Sequence, residues 1–270
     1  MYTLLFYSPM GEVPPTGEAL ADACAAFPGL TWDAPPESSY LPGRWRDPAT
    51  GATALIDLGE APLERDDLHP AKAYSVWRPL PLVLQIPLAG PHWHAAEVLR
   101  HVDGLLAALP GCRALDTEDV PDETGPGPWD RPRAIASWER QREARIADLA
   151  IPRLARAASV RLWRWRRERA AGQTARPDLL WPEGLVLHER STNRAVSAAW
   201  WADTAKPLAL PPVELLLTAQ PPGCIPVASL AIGDVQVLPQ GGGIALMPRP
   251  LPPVQPVTGY SALLDEDWAD

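Results

Sequence analysis

Hydrophobic positions along residues 1–115 switch between strand-like runs and helix-like periods. Residues 1–8 are almost continuously apolar, which predicts a buried strand. In residues 17–27 apolar side chains recur at helical spacing and stop at a Pro-Gly pair, which predicts a short helix. Residues 42–58 combine Asp-Pro and Thr-Gly turn pairs with an apolar run, and therefore predict a β-hairpin.

The last part of residues 1–115 predicts a strand, a helix and a short final strand. Residues 80–88 form an extended apolar run, but Pro81 and Pro87 donate no backbone hydrogen bond, so we expect an edge or bulged strand. Residues 93–109 predict an amphipathic helix, and residues 113–115 a last strand. The order β-α-β-β-β-α-β predicts an α+β sandwich unit with helices on a sheet. This layering resembles a ferredoxin-like sandwich, a likeness of fold that implies no activity.

The pattern changes after this unit. Residues 116–132 are acidic and rich in Pro and Gly, which is typical of a linker or a long surface loop. Residues 133–172 are an Arg-rich helical segment, in which we predict a central helix with Ser137 as its N-cap. Pro152 lies near the middle of this helix and is predicted to kink or divide it, because proline cannot make the helical backbone hydrogen bond.

Residues 177–247 contain short apolar runs separated by turn residues, and predict a C-terminal antiparallel β unit. The extended Pro-rich and acidic tail, residues 248–270, has PxxP spacing that would suit an aromatic groove. We favour a strap across the protein's own surface. The predicted strands are residues 185–190, 195–201, 213–218, 225–232, 235–238 and 244–247. The whole pattern predicts an α+β protein.

Composition narrows the class of protein. Hydrophobic residues make up 46% of the chain, which excludes wholesale disorder. No apolar stretch approaches the roughly 20 residues of a membrane span, and no basic residue precedes the short N-terminal run. Cys24, Cys112 and Cys224 lack CxxC spacing, which is typical of reduced thiols. We therefore expect a cytoplasmic protein without a cofactor, and the low Lys and high Ala, Pro and Arg content fits a GC-rich bacterial genome.

Charge is distributed unevenly along the chain. The net charge of −9 makes nucleic acid an unlikely main ligand, since phosphate binding needs a positive field. Between Arg131 and Arg169, however, 12 arginines accompany 4 acidic residues, a balance of +8 that leaves −17 for the rest of the chain. Either this segment neutralises the protein's own acidic regions, the interpretation we favour, or it binds phosphate, lipid or an anionic partner.

Two sets of residues are therefore candidates for partner binding. The first interleaves arginine with tryptophan, a combination that grips anions and stacks on rings. The second lies in the acidic loop and would suit a basic protein partner. The candidates are Arg161, Trp163, Arg164, Trp165, Arg166 and Arg167 in the first set, and Asp116, Glu118, Asp119, Asp122 and Glu123 in the second.

A histidine cluster is the only candidate metal site. His94 and His101 lie about one helical turn to either side of Glu97, with His92 just before them, so imidazole and carboxylate could converge on a zinc-like ion. The spacing matches no standard zinc motif. The alternative is a set of exposed histidines at a helix start, with Glu97 paired to Arg100 or His101.

Catalytic signatures are absent from the sequence. It has neither a GxSxG elbow nor a P-loop, and the polar segment His188–Arg194 suits a small pocket and a solvent-facing turn equally well. The leading hypothesis is a non-enzymatic, protein-binding protein, such as an immunity-type protein or an adaptor. The alternatives are a hydrolase with a dispersed, metal-assisted site in the histidine cluster, and a protein that binds anionic surfaces through its Arg/Trp helix.

Overall fold

The computed structural model describes residues 1–60, 74–118, 125–149, 151–219, 222–230, 235–237, 244–246 and 254–263. The candidates Asp119, Asp122 and Glu123 lie outside these residues, as does most of the predicted tail. Helices and largely antiparallel sheets are both present, so the predicted α+β class is confirmed. The chain divides into two compact units, one of residues 1–88 with 92–149 and the other of residues 89–91 with 150–270.

The N-terminal unit contains a six-stranded sheet in which every neighbouring pair is antiparallel. Its order is β2-β3-β4-β5-β1-β6, and helices α1 and α2 contact the sheet at β4 and β5. The predicted order of elements holds, with the two-residue strand β2 added. The strands are β1 Tyr2–Pro9, β2 Thr31–Trp32, β3 Tyr40–Arg46, β4 Thr53–Gly59, β5 Trp77–Ile86 and β6 Arg113–Asp116, and the helices are α1 Gly17–Ala23 and α2 Trp93–Ala108.

The core of this unit uses both faces of the sheet. Side chains alternate between the two faces of a strand, so Leu4 and Phe6 of β1 point away from Leu5 and Tyr7. All four are buried. Leu5 and Tyr7 belong to a cluster that includes Leu115 of β6. Each fully buried side chain of this size contributes about 1.5–3 kcal/mol to folding, so a strand buried on both faces is a strong anchor.

Strand β5 lies in the middle of the sheet although it contains prolines. Its register with β1 shifts within the strand, because Leu5 lies opposite Val83 whereas Tyr7 lies opposite Pro79. The extra residues on β5 surround Pro81, whose nitrogen has no proton to donate to the ladder. The bulged alternative of the sequence prediction is therefore the one observed, and the edge alternative is wrong.

The predicted central helix is two helices, α3 (Arg131–Leu149) and α4 (Arg156–Ala175). Pro152 lies between them, as predicted, and its ring also disfavours helical geometry at the residue before it. The predicted N-cap was wrong, because Ser137 is buried within α3. Asp130 provides the cap, with its Oδ1 accepting a hydrogen bond from the Arg133 amide at 3.1 Å.

The C-terminal unit contains a five-stranded sheet, β11-β10-β8-β7-β14, and a three-stranded sheet, β12-β13-β9. All neighbouring pairs are antiparallel except β8 and β10, which run parallel. The short strands β9 and β14 were not predicted. The strands are β7 Gly184–Glu189, β8 Arg194–Trp201, β9 Leu208–Leu210, β10 Leu215–Ala219, β11 Pro222–Pro226, β12 Val235–Val237, β13 Ile244–Leu246 and β14 Tyr260–Leu263.

The described part of the tail is a strap across the five-stranded sheet. Gln255 exchanges two backbone hydrogen bonds, of 2.8 and 2.9 Å, with Cys224 of β11 at one edge. Strand β14 pairs with β7 at the opposite edge, and Val257 packs between them on an apolar cluster that includes Val196 and Leu217. Among the described residues, no helix combines the length and apolar character needed to cross a membrane.

Candidate functional site

Helix α4 packs on its own sheet through an apolar face. Ala158, Leu162 and Trp165 are buried, and the helix contacts β7 and β8. The Trp165 ring stacks on Trp181 with 5.1 Å between centroids, and its Nε1 donates to the Pro182 carbonyl at 3.0 Å. A buried indole N–H needs such an acceptor. Trp165, a predicted partner-binding residue, is therefore part of the unit's own packing.

Two arginines flank this buried face and hold the chain that leads into β7. Arg166 donates to the Gly184 carbonyl from Nη2 at 3.0 Å and from Nε at 3.3 Å. Arg169 donates from Nε to the Trp181 carbonyl at 2.9 Å. Charged donors make stronger hydrogen bonds than neutral ones, so these contacts fix the helix against the loop. Arg166, also a predicted partner-binding residue, faces inward.

The outer face of α4 presents what we call the arginine row: Arg161, Arg164 and Arg167. All three side chains are exposed. The Arg167 guanidinium lies over the half-buried Trp163 ring, 5.4 Å from its centroid. Within the described part of the chain, neither Arg161 nor Arg164 forms an ion pair. Glu168 is the single acidic residue of α4, so the outer face carries a clear positive excess.

The acidic candidates that the structure describes lie in the other unit. Asp116 ends β6, and its Oδ1 accepts a hydrogen bond from the Glu118 amide at 3.0 Å. Asp116 also lines a cavity of about 90 Å³ with Trp129 and Arg133. Drug-sized ligands occupy about 300–1,000 Å³, so this cavity suits only a few water molecules.

An open groove adjoins that cavity at the start of α3. It has a volume of about 550 Å³ and is lined by Asp103, Pro128, Trp129 and Arg131, among others. The polar groups are paired with each other: the Trp129 Nε1 donates to Asp103 at 2.8 Å, and Arg131 forms an ion pair with the same carboxylate. The Asp103 carboxylate in the groove is therefore already held by two neighbouring side chains.

The histidine cluster is built into the α2 face rather than around an ion. His94 is fully buried against Trp93, with ring centroids 5.2 Å apart. Glu97 is buried and forms an ion pair of 3.1 Å with Arg100. His92 is the half-buried N-cap residue of the helix. In the described ranges, no group of three or more His, Cys, Asp or Glu side chains is placed to hold a metal.

His101 packs as an aromatic side chain. Its ring lies 5.3 Å from Phe27 and 5.0 Å from Trp45, centroid to centroid, and Arg100 donates from Nε to its Nε2 at 3.3 Å. Burial, followed by the Arg100 charge, lowers the pKa of His101. Arg100 also forms an ion pair of 3.0 Å with Asp47. Sequence reasoning missed this role of His101 because its packing partners lie far away along the chain.

Candidate nucleophiles and the polar segment give no better site. Burial raises the pKa of the Cys24 thiol to about 12, and burial with the Glu12 charge raises that of Cys112, so neither favours a thiolate. Segment His188–Arg194 comprises the end of β7, the turn of residues 190–193 and the first residue of β8, with Asn193 at a φ of 53°. His188 Nε2 and Asn193 Oδ1 lie 2.9 Å apart within the segment, and Arg194 forms an ion pair of 3.2 Å with Glu214 outside it.

No family model, curated protein or solved structure matches the chain. The site geometry singles out the arginine row, whose three members are all exposed on one helix.

Proposed function

We propose that this chain is a non-enzymatic protein-binding protein of a bacterial cytoplasm, of the immunity or adaptor type. The observation that carries the proposal is the arginine row on α4. Arg161, Arg164 and Arg167 are exposed together, while Arg166 and Arg169 on the same helix are used for internal hydrogen bonds. An exposed row of one charge steers association and selects a complementary surface.

The hydrolase alternative has less support. Three of its four candidate residues are held by packing or ion pairs: His94 in the core, Glu97 on Arg100, and His101 against Phe27 and Trp45. General acid–base chemistry requires a titratable group within reach of a bound substrate. The groove at the start of α3 provides a shape of sufficient volume, but its carboxylate on Asp103 is paired with Trp129 and Arg131.

The test is affinity capture of the tagged protein from the lysate of its own source, at low and at high salt, with mass spectrometry of the eluate. We expect one stoichiometric protein partner that is retained at low salt and lost or weakened at high salt, because salt screens exposed charges. Absence of a stoichiometric partner at both salt concentrations would contradict the proposal. The negative control is the same tag on an unrelated protein of similar net charge.

A further inference from the structure

The arginine row has the dimensions of a short recognition surface. Its members are spaced three residues apart, so their side chains are neighbours on one face of the helix. An α-helix rises 1.5 Å per residue, and the row from Arg161 to Arg167 therefore spans about 9 Å. This length matches a small group of charges on a partner rather than a long polymer.

We infer, on the basis of the proposed function, that the arginine row binds a carboxylate-rich patch of an acidic protein partner. A guanidinium presents its N–H groups in a planar fork that fits a carboxylate with two parallel hydrogen bonds. Arg167 is partly pre-organised, because its guanidinium lies over the Trp163 ring. Restricting a side chain before binding reduces the entropy lost in the complex.

Nucleic acid fits this surface less well. Double-stranded DNA carries one charge per roughly 1.7 Å of its axis, so a long polyanion meets the field of the whole molecule, whose net charge is −9. Single strands bind through free aromatic rings on which bases stack. The outer part of α4 has one tryptophan, Trp163, which is half-buried and already has Arg167 over its ring.

A membrane surface fits less well still. An interfacial helix buries a free apolar face among the lipid headgroups. In α4 the apolar side chains Leu162 and Trp165 are already buried, and Trp165 is stacked on Trp181 within the C-terminal unit. Electrostatic attraction would remain, but the helix has no second apolar face to insert.

The experiment uses the full-length protein and a labelled, alanine-based helical peptide with glutamates spaced like the arginine row, measured by fluorescence anisotropy. The row variant carries Arg161→Glu, Arg164→Glu and Arg167→Glu. The matched control changes the exposed arginines Arg140, Arg145 and Arg190 to Glu, so that both variants have the same net charge. Circular dichroism and thermal unfolding establish that both variants are folded.

We expect the wild type and the control variant to bind the peptide, and the row variant to bind at least about tenfold more weakly. Equally weakened peptide binding in both variants would overturn the inference, because it would indicate that the peptide responds to the net charge of the protein and not to the arginine row. Failure of the wild type to bind, or tighter binding of duplex DNA or phosphatidylserine vesicles through the same arginines, would also overturn it. If the row variant still captured the same cellular partner as the wild type, the inference about the arginine row would be wrong. The proposed protein-binding function would still hold in that case.

Discussion

At the residue scale, the arginines of α4 divide into inward and outward groups. The buried face of the helix contains Leu162 and Trp165, and the direction of each arginine follows from its position relative to that face. The Arg/Trp segment was predicted from sequence as one candidate surface. Helical spacing alone could have separated its two faces, but only the structure shows that Arg169 donates to the Trp181 carbonyl.

This division predicts unequal effects on stability. Replacing Arg169 with Met removes the 2.9 Å hydrogen bond to the Trp181 carbonyl and should lower the free energy of unfolding by about 1 kcal/mol. Arg164→Met changes an exposed member of the arginine row and should stay within about 0.5 kcal/mol of wild type. Urea unfolding followed by tryptophan fluorescence measures both. Equal loss in the two variants would contradict the assignment of Arg169 as an anchor.

His101 should make stability depend on pH. Its pKa in the folded protein is lowered by burial and by Arg100, whereas the unfolded chain has the ordinary value of about 6.5. Just below pH 6.5 the unfolded state binds more protons at His101 than the folded state does. The contribution of His101 to the free energy of unfolding is therefore fully present above about pH 6.5 and is lost as the pH falls toward the folded pKa. We expect His101→Phe to flatten the fall in the unfolding free energy between pH 8 and about pH 5.5.

The control for this prediction is a packing change without a titratable group. Leu115 of β6 is buried in a cluster that does not include His101, and Leu115→Ala should lower stability by about 2–5 kcal/mol at every pH without changing the slope. Asp47, Glu97 and Arg100 surround His101 and are retained in both variants. An unchanged slope in His101→Phe would show that another group carries the pH dependence.

At the element scale, the strap is held by close backbone contact. A Cβ on Gly223 of β11 would collide with the Val254 side chain and lie 2.6 Å from the Gln255 carbonyl oxygen. Gly223→Ala should therefore displace the strap and lower stability by about 1–3 kcal/mol. Gly259→Ala is the matched control, since a Cβ there meets nothing within 4 Å. Limited proteolysis within residues 254–263 should accelerate in Gly223→Ala alone; equal rates would argue against a packed strap.

Some helices and strands could be predicted from the sequence pattern, and others could not. Long periodic segments such as α2 and strongly apolar runs such as β1 were predicted, because burial imposes a period on the sequence. Pro152 marked the division between α3 and α4 for a local steric reason. Strands β9 and β14 have only three and four residues, too few to show a period. The parallel pairing of β8 with β10 depends on the path of the connection, which no local pattern records.

At the scale of the whole molecule, the sequence pattern placed the change of architecture after residue 115, whereas the compact N-terminal unit extends to Leu149. Helix α3 explains the difference. It contacts α2, and the buried Trp138 donates from Nε1 to the Pro87 carbonyl at 3.0 Å. The acidic and Pro-rich composition of residues 116–132 suggested a linker, because composition cannot show that the following helix returns to the preceding unit.

This arrangement predicts where the chain can be divided. A fragment of residues 1–149 retains the six-stranded sheet, α2 and α3, and should unfold cooperatively with a near-ultraviolet dichroism signal from its packed tryptophans. A fragment of residues 1–116 lacks Trp138 and leaves the α2 surface that contacts α3 exposed to water. Loss of a buried tryptophan lowers the free energy of unfolding by about 3–5 kcal/mol, which is a large part of the stability of a domain of this size. The shorter fragment should therefore unfold at a much lower urea concentration than the longer one, or fail to fold. Equal stability of the two fragments would mean that α3 is peripheral to the N-terminal core.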